Sequence, residues 1–309
     1  MIVNVYHRTV PNAKNLEKIE VLKNFSAGIR AAGDTCNDIN DSAYRVSDVG
    51  VLQGWISNET RQGHLALRNL IINQQLAHHK HVVAIDSNLF LYKNKENPQH
   101  YLRYSFDGIF PNTGNYCDKN VNSVRWKKIS SRLGLTLKDY RKNGNHILLC
   151  LQRNGGWSMG GVDVQDWAIN IISKLRMFTD RPIVIRGHPG DKRTREYLDP
   201  KHPSCRLSGV SNVTFSNPSS SLQDDLQNCW AVINHNSSPV VGAAIEGYPI
   251  FVTDADRSQC REIANTDLSN IENPVMPDRQ RWAERISMFH WNFDELRSGE
   301  CWRHMRDYI

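Results

Sequence analysis

Between Ala231 and Asp254 the chain runs strand, polar turn, short helix, tight turn, strand, and few folds accommodate that succession in 24 residues. Ala231 to Ile233 is a short apolar run of the kind that fills a buried parallel strand. Asn234 to Ser238 is a small polar turn. Ser237 or Ser238 is placed to cap the helix that follows, with Pro239 at its first position. The helix is short and built of small residues, so it can lie close on a sheet. Gly247 ends it and Pro249 bars its continuation. Ile250 to Val252 is the next buried strand. A unit this tight sets a helix start with two hydroxyls at the carboxyl edge of a sheet, where open α/β sheets take ligands and phosphate is welcome. Glu246 lies one helix further on, within expected reach of a ribose.

The rest of the chain repeats the alternation. Strands are expected at Ile2 to Tyr6, Val49 to Leu52, His81 to Ile85 and Tyr101 to Ile109. An amphipathic helix, Asn12 to Ala32, carries Leu16, Ile19, Leu22, Phe25 and Ile29 at helical spacing, and a second covers Gly63 to His79. Asn122 to Asp139 reads as a polar, basic helix with Arg125, Lys127 and Lys128. A turn cluster at 142–145 marks a linker. The pattern then restarts with strands at Ile147 to Leu151, Pro182 to Arg186 and Val213 to Phe215, and helices at Val164 to Phe178 and Leu222 to Cys229. Helices at Arg279 to Phe289 and Phe293 to Tyr308 close the chain. The class is α/β: two Rossmann-like βαβ domains with parallel sheets. The expected boundaries are 1–142, 143–285 and a helical segment 286–309 that packs back on the first domain.

Hydrophobic residues make up 39% and charged residues 23% of the 309, which places the chain among globular proteins. No apolar run is long enough to cross a membrane. The start, Met-Ile-Val-Asn-Val-Tyr-His, reads as a strand and not a leader, so a cytoplasmic location is expected. Seven cysteines without a CxxC pair fit reduced thiols. His78, His79 and His81 lack a carboxylate or cysteine at ligand spacing, so no metal site is expected. The net charge of +6 is compatible with a polyanionic partner.

Three further stretches carry candidate chemistry. The loop Gln152 to Gly161 follows a strand, and Gly155 and Gly156 let backbone N–H groups approach a phosphate. It matches neither a P-loop nor Gly-x-Gly-x-x-Gly, which disfavours a dinucleotide dehydrogenase. Ile183 to Asp191 runs a strand into Arg186 and His188, followed by Lys192, Arg193 and Arg195, cations suited to a departing pyrophosphate. His188 reads equally well as a structural histidine in a proline turn; only its pairing with Ser237 and Ser238 favours function. Asp86 ends an apolar strand and suits a general base on an acceptor hydroxyl, or equally a turn-forming Asp.

The strand with Arg186-x-His188-Pro189, followed about 50 residues later by Asn236-Ser237-Ser238 and Glu246-Gly247-x-Pro249, resembles the C-terminal half of GT-B glycosyltransferases. It is most similar to capsule-type transferases with a His-Pro motif, the bacterial Kdo and polysialic acid transferases. The resemblance covers roughly residues 145–255 and the N-terminal half only in outline. It implies two domains facing a cleft, and a C-terminal helix crossing back to the first domain. It also implies that His188, Ser237 and Ser238 hold the donor phosphate and Glu246 the ribose. A fainter likeness to phage DNA β-glucosyltransferases rests on the placement of Asp86 and Glu246. Retaining members often carry Glu-x7-Glu here; this chain has Ser238 eight residues before Glu246, which favours inversion.

The expected activity is therefore an inverting, metal-independent transfer from a nucleotide sugar, a UDP-sugar first and a CMP-sugar second. Asp86 is the expected base, with His188, Arg186 and the Gly155-Gly156 loop stabilising the leaving phosphate. The basic helix and the phage likeness point to a hydroxymethylated pyrimidine in DNA as acceptor, in host cytoplasm if phage-encoded, and to a monomer. Arg125, Lys127 and Lys128 are then the DNA-binding residues. Three rivals stand beside this reading: a transferase of surface polysaccharide or lipid-linked glycan, a sugar-nucleotide epimerase, and a non-catalytic nucleic-acid-binding module.

Overall fold

A computed structural model describes residues 1–10, 16–56, 63–93, 97, 99–191 and 193–309. The chain divides into two compact units. Unit 1 comprises Met1–Leu89, Glu96–Leu133 and Glu284–Ile309; unit 2 comprises Phe90–Lys95 and Gly134–Ala283.

Unit 1 begins with β1 (Ile2–Tyr6), α1 (Leu16–Ala31) and β2 (Thr35–Ile39). It continues through β3 (Val49–Gln53), α2 (His64–Ala77), β4 (His81–Asp86), β5 (Leu102–Phe106) and α3 (Ser123–Leu133). Every residue of β3 is buried, and β1 is buried from Val3 onward, as strands covered on both faces should be. α1 packs Val21, Leu22, Phe25 and Ile29 into the same core.

Unit 2 runs β6 (His146–Cys150), α4 (Val164–Leu175), β7 (Ile183–Arg186), α5 (Thr194–Leu198), β8 (Val213–Phe215), α6 (Leu222–Asp225), β9 (Cys229–Asn234), α7 (Pro239–Ile245) and β10 (Ile250–Val252). Its five strands are ordered β10-β9-β6-β7-β8 and all neighbouring pairs are parallel. The chain leaves β6 toward β7 and β8, then returns to the other side of β6 for β9 and β10. The gap beyond the carboxyl ends of β6 and β9 is thus the topological switch point, where an open parallel sheet leaves a crevice.

α8 (Gln280–Ser287) carries the chain out of unit 2 into β11 (His290–Trp291), α9 (Phe293–Arg297) and α10 (Glu300–Arg306), which belong to unit 1. The completed unit 1 sheet is ordered β11-β5-β4-β3-β1-β2. Its switch point lies between β1 and β3. α9 lies so close on α1 that a methyl group at Gly28 would collide with the Leu296 carbonyl oxygen. Trp302 of α10 meets Phe25 edge-on, with ring centroids 6.0 Å apart.

The structure corrects several expected elements. β5 and β11 are antiparallel to their neighbours, so the first sheet is mixed. β2, with the sequence Thr-Cys-Asn-Asp-Ile, is a polar edge strand whose pattern gave no apolar signal. The basic helix stops at Leu133, before Gly134 in the left-handed region. The helix drawn from Leu222 to Cys229 is four residues long, and Cys229 opens β9. The terminal helix is two helices, broken at Gly299, whose φ is +81°. The start of the first expected helix, at Asn12, falls outside the described residues. No described helix is long and apolar enough to cross a membrane.

Candidate functional site

The loops after β6 and β9 meet across the switch point of unit 2. Gln152, directly after β6, uses its whole amide there. Its Oε1 accepts from the Asn236 N–H at 2.9 Å, and its Nε2 donates to Ser158 Oγ at 2.9 Å. Asn236 Nδ2 donates to Asp254 Oδ2 at 2.9 Å and to the Ser158 carbonyl at 3.3 Å. Both Gln152 and Asn236 are buried, and these bonds hold the crevice floor in one geometry. Asn154 fixes the far end of the glycine-rich loop. Its N–H donates to Asp191 Oδ2 at 2.7 Å and its Nδ2 to Asp163 Oδ2 at 3.1 Å. Gly155 sits between these anchors with φ +68°.

The rim of the crevice carries donors. The Gly190 N–H donates to His188 Nδ1 at 3.0 Å, so that nitrogen carries no proton. Burial, and then the neighbouring Arg153 guanidinium, push the His188 pKa down from its usual value. A neutral ring with Nδ1 accepting presents Nε2–H as a donor. Arg153 lies against the same turn: a methyl group at Gly190 would stand 2.8 Å from Arg153 Nη2 and 3.2 Å from His188 Cε1. Arg153 makes no ion pair among the described residues. Ser237 Oγ accepts from Asn234 Nδ2 at 2.9 Å, which leaves its own proton to give. Ser238 is the N-cap of α7, but no side-chain bond caps the helix, correcting the capping role expected for the pair. Both hydroxyls are half-buried rather than tied into the helix end.

The structure brings Gly155, Gly156, His188, Ser237 and Ser238 to this one edge, and separates Glu246 from them. Glu246 is the C-cap of α7, eight residues and about 12 Å of helical rise beyond Ser238. It borders a recess with Arg141, Gln227, Asn228 and Tyr248; Asn228 immediately precedes β9, so this is the amino edge of the sheet. There Glu246 accepts from Tyr92 Oη at 2.8 Å, pairs with Lys93 at 3.3 Å and bonds Lys138 Nζ. Burial pushes its carboxyl up, but Lys138, Tyr92 and Lys93 outweigh it and leave it below the usual carboxylate range. The carboxylate at the ligand edge is instead Asp254, just beyond β10. His235 lies 3.6 Å from it through Nε2, with Nδ1 2.8 Å from Thr253 Oγ1.

Arg186 also departs from its expected role. It ion-pairs with Asp225 and donates to the Ser220 and Ser221 carbonyls at 3.1 and 3.2 Å, so its charge fixes the start of α6. Arg153, one residue beyond Gln152, is the cation that the sequence reading passed over; its place in the loop after β6 was the available signal. Arg193 is held by Glu196 at 2.6 Å on the surface, while Lys192 and the Arg195 side chain lie outside the described residues. The N-terminus of α4 is closed to a ligand, because the Asp163 carboxylate accepts from the Gln165 and Asp166 N–H groups and pairs with Arg206 at 2.6 Å.

In unit 1, Asp86 ends β4 as expected. It ion-pairs with Arg103, and its Oδ1 accepts from the Ser87 N–H at 2.8 Å. Burial pushes the carboxyl up, but Arg103, the Ser87 amide and Arg68 outweigh it, so Asp86 is held ionised. The basic helix is not an exposed interface. Arg125 is buried, reaches Glu295 at 3.0 and 3.2 Å through both Nη atoms, and stacks 3.6 Å from the Trp291 ring centroid. Lys128 pairs with the same carboxylate at 2.6 Å. Only Lys127 of the three is exposed. Amphipathic spacing explains the error: a helix with few apolar residues buries whichever long side chains face the core, charge included, when a partner waits there. Among the described residues no three His, Cys, Asp or Glu side chains converge on a metal position.

No protein-family model matches the chain, and no curated protein matches it in sequence. Among solved structures the chain is similar to two transferases of Thermosulfurimonas dismutans KpsC. Against the beta Kdo 2,4 transferase the TM-score is 0.55 at 12% identity, covering 92% of this chain and 90% of that one. Against the beta Kdo 2,7 transferase it is 0.55 at 13% identity, covering 97% and 99%. The likeness is one of fold. This chain has the mixed α/β, GT-B-like architecture, with a parallel-stranded sheet at the heart of each unit.

Proposed function

We propose that this chain is a glycosyltransferase that binds a nucleotide sugar at the switch point of unit 2. The observation that carries the reading is the set of unspent donors there: His188 Nε2–H, the Arg153 guanidinium and the Ser237 and Ser238 hydroxyls stand around a buried, hydrogen-bonded Gln152–Asn236 floor. Donors fixed in advance around developing negative charge are what a departing nucleotide diphosphate or monophosphate requires. Asp254, not Glu246, is the carboxylate available for ribose hydroxyls. Asp86, kept ionised by Arg103 at the end of β4, is the base in this reading and takes the proton of the acceptor hydroxyl. The single-displacement, inverting course follows from using one base and no protein nucleophile.

The similarity in fold to Kdo transferases supports a glycan acceptor, and an acidic sugar such as Kdo belongs in any donor panel. The DNA acceptor loses two of its supports. Arg125 and Lys128 serve Glu295, and Glu246, half of the likeness to phage enzymes, sits at the opposite edge of its sheet.

The test is thermal stabilisation by UDP, CMP, GDP, ADP and TDP, followed by turnover of the matching sugars. One nucleotide should raise the melting temperature by mass action. Arg153→Ala and Asp254→Ala should each weaken that nucleotide about tenfold or more, about 1.4 kcal/mol, and Glu246→Ala should leave it unchanged. If no nucleotide stabilises the protein, or if Glu246→Ala alone abolishes binding, the proposed site is wrong.

A further inference from the structure

The switch point of unit 1 holds a buried cation whose partners do not account for it. Arg68 reaches up from α2 and spans the crevice between β1 and β3. Its Nε donates to the Thr9 carbonyl at 3.0 Å, just past β1, and its Nη2 to Gln53 Oε1 at 3.0 Å, at the end of β3. The guanidinium lies flat on Gly54, where a side chain would stand 2.7 Å from Nη1. Gly54 has φ +83°, so both its backbone and the arginine above it demand glycine. Arg68 is only 7% exposed, yet both acceptors it uses are neutral. Of the five N–H donors of a guanidinium, the pair on Nη1 has no acceptor among the described residues.

A buried charge without a contacting counter-ion is costly, and natural folds keep one where a ligand supplies the missing charge. The surroundings point the same way. Burial brings the Arg68 pKa down to about 10, with Asp86 opposing. Lys18, in the first turn of α1, is lowered by burial and then by Arg68. His64, at the start of α2, is lowered by burial, by Arg68 and by Lys18. Among the described residues two carboxylates act on Arg68 and Lys18, and both are engaged elsewhere: Asp86 by Arg103, and Glu17 by His100 at 3.2 Å. Among the described residues α2 also starts without a side-chain cap or an acidic residue in its first turn, and a helix start carries positive potential.

We propose that this crevice is an oxyanion site of unit 1, in which the Nη1 edge of Arg68, beside the start of α2, receives a carboxylate or phosphate group of the substrate. Arg68 gives the planar fork that such groups fit. The anion belongs to the acceptor, an assignment that rests on the glycosyltransferase reading; the site itself rests on unit 1 alone. The acceptor is then an acidic or phosphorylated sugar.

Binding is measured by ligand-observed NMR on the full chain, without any nucleotide sugar. The probes are methyl glucuronoside, glucose 6-phosphate and neutral methyl glucoside, at fixed ionic strength. An acidic or phosphorylated probe should bind at least about tenfold more tightly than methyl glucoside. Preference for the glucuronoside assigns a sugar-acid acceptor, and preference for the phosphate a phosphorylated one. Arg68→Gln should abolish the preference, and Arg68→Lys should keep part of it. Equal binding of all three probes to the wild type, or an unaltered preference in folded Arg68→Gln, overturns the proposal. Because no donor is present, that outcome leaves the nucleotide test of unit 2 standing, and failure of the nucleotide test leaves this one standing.

Discussion

Replacing Arg125 by Met should unfold unit 1 rather than weaken any ligand. The two side chains of the Arg125–Glu295 pair are 8% and 4% exposed. Arg125 holds both carboxylate oxygens, and also donates to the Ser287 carbonyl at 3.4 Å and to the His290 carbonyl. Methionine keeps most of the stem but leaves Glu295 with Lys128 as its one charged partner among the described residues, beside the Asn292 N–H. Breaking one side of a buried pair costs about 3–5 kcal/mol. With a urea m-value of about 2 kcal/mol/M, a loss of ~4 kcal/mol moves the midpoint by ~2 M. The transition is followed by tryptophan fluorescence, since Trp291 and Trp302 report from unit 1. The pH dependence carries the sign. Burial pushes the Glu295 carboxyl up, but Arg125 and Lys128 outweigh it and hold it low. A depressed carboxylate stabilises the fold above its unfolded pKa of about 4.3, and that contribution is lost as pH falls. The penalty of Arg125→Met should therefore be full at pH 7 and shrink toward pH 4, where Glu295 takes a proton. Adding Glu295→Gln should recover part of it, because glutamine at this position can still accept from the Asn292 N–H that closes the helix cap. A midpoint within 0.3 M of wild type, roughly 0.6 kcal/mol at that slope, or a penalty that does not change with pH, would refute the assignment of Arg125 to the core.

Gly28→Ala drives a methyl into the Leu296 carbonyl, and calorimetry should show unit 1 destabilised by about 1–3 kcal/mol or more. Glu246→Ala leaves Lys93 and Tyr92 without their acceptor, so acid titration of the variant should lack one stabilising carboxylate; wild-type acid sensitivity in the variant would count against the assigned pairing. The His290 ring titrates near 3, because burial disfavours its charge more than the Ile286 carbonyl favours it. Its contribution is therefore complete above pH 6.5 and falls by about 1.4 kcal/mol per pH unit below that, down toward pH 3. Urea midpoints at pH 7, 6 and 5 should fall more steeply for the wild type than for His290→Gln, and parallel slopes would remove the effect.

The βαβ grammar of this chain is legible because its central strands are apolar runs: strands stand where Val49 to Leu52, His81 to Ile85 and Ala231 to Ile233 put them, and the one expected at Ile147 to Leu151 ends a residue earlier, at Cys150. β2 is not, because an edge strand exposes one side and tolerates Asn37 and Asp38. β11 escaped because two residues carry no period. His188, Ser237 and Ser238 are expected at strand–loop junctions, and the structure places all three at the carboxyl edge of the unit 2 sheet. Helix direction was the missing quantity for Glu246: a motif gives sequence distance, whereas α7 returns the chain to the amino edge before Glu246 is reached. Arg153 and Arg68 hid for a different reason. Whether an arginine is spent depends on acceptors far away in sequence, as Asp225 is from Arg186 or Thr9 from Arg68.

Neither unit is one continuous stretch of chain, and this sets an order of events on the ribosome. The 134–283 stretch, with all five strands of its sheet, emerges after the Phe90–Lys95 piece it needs, so unit 2 can close while synthesis is still under way. The earlier-made half of unit 1 must wait. Phe25 and Tyr104 have no Trp302 or Leu296 to cover them, and β5 has a bare edge, until the residues from Glu284 onward arrive. Strands β1 to β5 are thus made before unit 2 and finished after it, and in that interval their uncovered apolar surface is open to misassociation.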